Sequence, residues 1–157
     1  MKKIELLAPA GDEEALKAAI MAGANAVYMG GGRFGARAFA GNFEDDKLID
    51  AVDYAHQMGV KIYITANTII KDEEIGDFLN YIDFLYEIGV DAVILQDLGM
   101  IDIISKRIPD LELHASTQMT ASTAQDVLFL KELGVSRVVL SRELSYDEIS
   151  AIKTETN

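Results

Sequence analysis

The 157 residues have the length of one ordinary domain, half of them are apolar and none is cysteine, so disulfides, a thiol nucleophile and a cysteine-held zinc or iron–sulfur site are excluded within them. A formal net charge of −12 argues against broad nucleic-acid binding by simple electrostatics. No apolar run approaches the ~20 residues of a membrane span, and Glu5 and Pro9 interrupt the stretch that would follow Met1-Lys2-Lys3 in a signal peptide, so a cytoplasmic protein is expected.

Strand and helix patterns alternate along the chain. Ile4–Leu7 reads as a strand running into Ala8-Pro9-Ala10-Gly11, after which Asp12 caps a helix that stops at Gly23. Ala26–Met29 is the second strand, followed by Gly30-Gly31-Gly32 and a long loop to Phe43. A helix opens at Asn42 or Glu44 and stops at Gly59, and Lys61–Thr65 is the third strand. The third helix covers Asp72 to Ile88, and Ala92–Leu95 is the fourth strand, tipped by Gln96-Asp97. A helix over Leu98 to Arg107 ends before Pro109, and Glu112–Ala115 is the fifth strand, running into Ser116-Thr117-Gln118. A helix from about Ser122 stops at Gly134, Arg137–Leu140 is the sixth strand, and a last helix starts near Ser145.

Gly23-Ala24-Asn25-Ala26-Val27-Tyr28, Gly89-Val90-Asp91-Ala92-Val93-Ile94 and Gly134-Val135-Ser136-Arg137-Val138-Val139 repeat one device: a helix-stop glycine, a link and a strand. Successive βα units imply a parallel sheet. The units recur every ~27 residues, against about 31 in an eight-unit barrel of ~250 residues. The expected fold is therefore α/β: a parallel (βα) repeat forming an incomplete TIM-like barrel of about six units, as a single domain over 1–157. Glu5, Lys61, Glu112 and Arg137 lie at or beside strand starts, which argues against a sheet buried on both faces, and Glu5, Lys61 and Glu112, all from odd strands, could share an inward-facing layer in which opposite charges pair.

In such a fold ligands are held by the loops after the strands. Ala10 and Gly11 offer backbone N–H groups at a helix start, and Gly30 and Gly31 allow close backbone approach, so these four are candidates for an anion. Arg37 could grip a carboxylate or phosphate. Asn67, Gln96, Gln118, Arg142 and Glu143 complete a candidate substrate-binding set. Along the fifth strand His114 and Ser116 share a face with Glu112. His114, Ser116 and Asp97 are the only obvious hydrolase set, yet His114 and Ser116 lie about 6–7 Å apart along a strand and no glycine-flanked nucleophile turn surrounds the serine. Metal ligation by His114 with Asp97 is the alternative chemistry, with no metal site assigned. A polar pocket that orients a substrate is the economical reading. The plainer one makes His114 a core histidine and Ser116 a helix-entry residue.

Glu5-Leu6-Leu7-Ala8-Pro9-Ala10-Gly11, Tyr28-Met29-Gly30 with Phe34 and Arg37, His114-Ala115-Ser116-Thr117-Gln118-Met119 and Leu140-Ser141-Arg142-Glu143-Leu144-Ser145 resemble, in order, the collagenase-like peptidase family (peptidase family U thirty-two). The resemblance implies the N-terminal part of a barrel-like catalytic domain and a peptidase activity. The alternative it implies, from relatives with better-defined roles, is a component of an oxidative modification system acting on RNA bases or ubiquinone precursors. A non-catalytic binding or scaffold role is the third expectation. In the family a cysteine-bearing segment follows the part matching Glu143, so an iron–sulfur cluster is expected only in a longer form. The substrate stays open among a small molecule, a peptide and RNA. Six strands cannot close an eight-stranded barrel without distortion, so association of two copies through open sheet edges is also expected.

Overall fold

In a computed structural model of the chain, which describes residues 4–36 and 42–156, six parallel strands form one sheet in sequence order, β1 to β6. The strands are β1 (Leu7–Ala10), β2 (Ala26–Gly30), β3 (Lys61–Thr65), β4 (Ala92–Leu95), β5 (Glu112–Ala115) and β6 (Arg137–Val138). The helices between and after them are α1 (Glu13–Met21), α2 (Asp45–Gln57), α3 (Ile75–Glu87), α4 (Leu98–Arg107), α5 (Ala124–Glu132) and α6 (Tyr146–Thr156). Short 3-10 turns precede α3 (Asp72–Glu74) and follow β5 (Thr117–Met119).

The two faces of the sheet bury different things. Val27, Met29, Ile62, Ile64, Val93, Leu95, Leu113 and Ala115 pack into one core with Leu16, Leu48, Phe78, Ile101 and Leu130 from the first five helices. The alternate positions Ala26, Tyr63, Ala92 and Ile94, with Leu7 and Tyr28, form a second cluster made of strand residues alone. Period-two alternation thus sends one set outward to the helices and the other into a lumen. One face carries the helices and the other lines an incomplete barrel, as the βα spacing predicts.

Two boundaries differ from the sequence reading. The first strand begins at Leu7, not Ile4. Asn25 occupies the backbone of Leu6 instead, its side chain accepting Leu6 N–H at 2.9 Å and its own N–H donating to Leu6 O at 2.8 Å. Pro9 lies inside β1, tolerated there because the strand is an edge. The sixth strand keeps only Arg137 and Val138, because Ser141 N–H turns away to Ala121 O at 3.0 Å. The helix-stop glycines Gly23, Gly59, Gly89 and Gly134 all have positive φ, which a Cβ would strain.

Candidate functional site

Below the mouth, the lumen is held by a polar clasp. Glu5, just before β1, is ion-paired to Arg137 of β6. The Tyr63 hydroxyl of β3 donates to the same carboxylate at 2.9 Å, and the Arg137 guanidinium lies 5.2 Å over the Tyr63 ring. Arg137 holds the Glu5 carboxyl below the usual carboxylate range, while burial and that carboxylate push the Tyr63 phenol up to about 12. The sequence reading places opposite charges in this layer. The pair formed spans the first and last strands, and Lys61 contributes to Glu5 only at long range.

His114 packs edge-on to Tyr63 with ring centroids 4.7 Å apart. It is 1% exposed. Its Nε2 has no hydrogen-bond partner, and Glu112 Oε2 lies 3.5 Å away without hydrogen-bond geometry. Burial, then the nearby Arg137 charge, lowers its pKa to about 4, only partly offset by Glu112. His114 is therefore a neutral wall residue at neutral pH.

One step nearer the strand ends, hydrogen bonds link three loops. Ala66 N–H donates to Ile94 O and Ser116 N–H to Leu95 O, extending the ladder past the strand ends. Ala66 and Ala115 belong to the helix-side core, so by alternation Asn67 and Ser116 face the lumen. Ala36 N–H, in the loop after β2, donates to Asn67 Oδ1 at 3.1 Å. Asn67 Nδ2 donates to Ser116 Oγ at 3.2 Å, and Gln118 N–H donates to the same oxygen at 3.3 Å. The loop after β2 is further tied to β3 by Thr68 Oγ1–H, which donates to Phe34 O at 3.2 Å.

The structure brings Asn67 and Ser116 into contact, with Gln118 joining through its backbone. Gln96 follows β4 half-buried, and the side chain of Gln118 is exposed. Arg142 and Glu143 are exposed beyond β6, and neither enters this network. Arg37 lies outside the described residues. Asp97 serves the scaffold: it caps α4, accepting Met100 N–H at 3.0 Å, and its second oxygen accepts Ile70 N–H at 3.1 Å. Among the described residues no hydrogen bond joins Asp97, His114 and Ser116 into a triad. Ser116 Oγ accepts two hydrogen bonds and donates none to a described residue, so among the described residues no base is in contact to take its proton.

The four anion candidates also have other roles. The α1 start after Ala10 and Gly11 is capped by Asp12, which accepts Ala15 N–H at 2.8 Å, and carries Glu13 and Glu14 in its first turn. Its positive end is already answered by acids. Gly30 and Gly31 have ordinary φ, and a Cβ there would overlap Asn42 and the Tyr81 hydroxyl respectively, so they are small for packing. Tyr63 is the site residue that sequence reasoning missed. The alternation in Lys61-Ile62-Tyr63-Ile64-Thr65 was its signal, since it puts an aromatic hydroxyl on the Lys61 face.

No group of three or more His, Asp or Glu side chains able to hold a metal occurs among the described residues. Without cysteine, the chain offers no thiolate to an iron–sulfur cluster. No helix among them is long and apolar enough to cross a membrane.

A parallel βα wall with hydrogen-bonded loops at its strand ends defines a TIM-barrel-like fold. The profile of Peptidase family U32 matches residues 11–157, and the chain belongs to that family. It is 44% identical to the 23S rRNA 5-hydroxycytidine C2501 synthase of Escherichia coli (strain K12), over 99% of this chain and 23% of that protein. It is 39% identical to tRNA hydroxylation protein P1 of Bacillus subtilis (strain 168), over 99% of this chain and 37% of that protein. It is 37% identical to an uncharacterized protease of Methanocaldococcus jannaschii, over 98% of this chain and 37% of that protein. The chain thus spans about a quarter to two-fifths of these relatives. A solved U32 peptidase superposes with a TM-score of 0.81 at 15% identity, over 99% of this chain and 66% of that one. A type I 3-dehydroquinate dehydratase from Clostridium difficile gives 0.65 at 14% identity, over 98% of this chain and 68% of that one. These two likenesses speak to the barrel-type fold alone.

Proposed function

We propose that these residues form the N-terminal barrel wall of an RNA-modifying protein, one that takes part in hydroxylating a base of ribosomal or transfer RNA in the cytoplasm. The observation that carries this reading is the 44% identity, along 99% of the chain, to a relative named for 5-hydroxycytidine synthesis in 23S rRNA. Other relatives are named for tRNA hydroxylation. The mouth suits a substrate-orienting role: a rigid set of neutral donors and acceptors tied across three loops. Peptidase chemistry, which the family name suggests, is the weaker reading, because Ser116 has no base and His114 has no carboxylate partner in hydrogen-bond geometry. The redox chemistry of hydroxylation requires groups that these residues do not supply. With an acidic chain, binding of the RNA backbone is assigned to parts of the protein beyond this stretch. The outer edges of β1 and β6 also support association of two copies.

Deleting the gene from its host and analysing the nucleosides of total rRNA and tRNA by mass spectrometry tests the reading. Loss of one hydroxylated pyrimidine, restored by a plasmid copy, is expected. An unchanged nucleoside profile would overturn it.

A further inference from the structure

A hydrogen-bond inventory of the mouth leaves two donors over. Asn67 cannot be flipped, because Ala36 N–H needs an acceptor and finds it in Oδ1. Its Nδ2 must then face Ser116, so Ser116 Oγ accepts there. The same oxygen accepts Gln118 N–H. A serine hydroxyl has two lone pairs and one proton. Both lone pairs are used, and among the described residues the proton has no acceptor, although Ser116 is 3% exposed. The amide of half-buried Asn67 carries a second N–H, for which the described residues likewise supply no acceptor. These donors sit on atoms 3.2 Å apart, close enough for one oxygen to receive both. One lumen-facing position earlier the strands carry Thr65, Ile94 and a neutral His114, in register with one another.

We infer that Ser116 O–H and the second Asn67 N–H together form a seat for one uncharged carbonyl oxygen, namely the keto oxygen of a pyrimidine base. The buried Ser116 donor left without an acceptor is unfavourable, and a ligand oxygen relieves it. A neutral carbonyl suits the seat better than phosphate or carboxylate, since no lysine or arginine of the described residues is hydrogen-bonded to Asn67 or Ser116. The choice of a pyrimidine over other carbonyl compounds rests on the RNA reading above.

The test titrates the 15N-labelled chain with uridine, cytidine, N-acetylalanine methylamide and inorganic phosphate, and follows the side-chain amide of Asn67 by NMR. Uridine and cytidine, which share the C2 keto oxygen, are expected to shift that amide. Asn67→Asp keeps an acceptor for Ala36 but turns the Ser116 proton onto the new carboxylate, leaving no donor. It should weaken nucleoside binding about tenfold or more, as should Ser116→Ala, whereas Ser116→Thr should bind like the parent chain. The backbone amide spectrum reports whether each variant keeps the fold. An Asn67 amide indifferent to both nucleosides, or equal affinity in the Asn67→Asp chain, would overturn the inference. A response to the peptide amide alone would overturn it in favour of peptide recognition, and a response to phosphate alone in favour of an anion site. The outcome is separable from the gene-deletion result. Nucleoside binding with unchanged cellular RNA would leave the seat standing and remove the hydroxylation reading. Lost hydroxylation without binding at Asn67 would do the reverse.

Discussion

His114 shows how one residue reads differently in sequence and in structure. On a strand beside Ser116 it looks like a catalytic base, yet the fold packs it against Tyr63 and under the field of Arg137. Its folded pKa of about 4 lies below the ordinary value of 6.5. Between those values the unfolded chain binds a proton that the folded chain refuses, so stability falls as the pH drops through that window. The full effect is roughly 3 kcal/mol at ~1.4 kcal/mol per pKa unit. Urea midpoints measured in steps from pH 7 to pH 5 should fall in the parent chain and stay nearly level in His114→Phe. Parallel slopes in the two proteins would show that His114 is not held neutral. The Glu5 carboxyl adds its own acid loss lower down, because its folded pKa lies below 4.5 and its contribution vanishes as the pH falls through it.

At the scale of the elements, the loop after β2 illustrates packing that imitates a ligand motif. Gly30 and Gly31 are candidates for close approach of an anion by sequence, and in the fold the buried Tyr81 hydroxyl of α3 stands where a Gly31 side chain would be. That hydroxyl has no hydrogen-bond partner, and burial raises its pKa. Gly31→Ala should therefore cost about 1–3 kcal/mol through overpacking. Tyr81→Phe should be near neutral, since it removes an unsatisfied polar atom, and should rescue much of the Gly31→Ala loss in the double variant. Additive losses in chemical denaturation would contradict that contact. Strand identity and order were legible in the sequence because apolar runs ended by glycine or proline recur at a steady interval. The first strand was shifted because the Asn25 clamp on Leu6 is a side-chain effect that hydrophobic patterning does not carry. The mouth was legible as a set of residues beyond strand ends. Its connectivity was not, since the Asn67–Ser116 bond joins loops 49 positions apart.

Across the whole molecule, the Glu5–Arg137 pair ties the first strand region directly to the last, 132 positions on. Arg137 and Glu5 keep 37% and 26% of their side chains exposed, so a double-mutant cycle with Glu5→Gln and Arg137→Met should give a coupling of about 1 kcal/mol. The sheet order leaves β1 and β6 with outer edges unpaired in the sheet, and sedimentation at micromolar concentration should find dimers. A monomer with β6 protected from hydrogen exchange would show a covered edge instead. The account as a whole turns on the mouth at Asn67 serving RNA modification. Its most direct measurement is nucleoside mass spectrometry of rRNA and tRNA from the host carrying Asn67→Asp at the chromosomal locus. One hydroxylated pyrimidine should fall about tenfold or more, with the protein present at its normal level; the parent level of every hydroxylated pyrimidine in that strain would contradict the account.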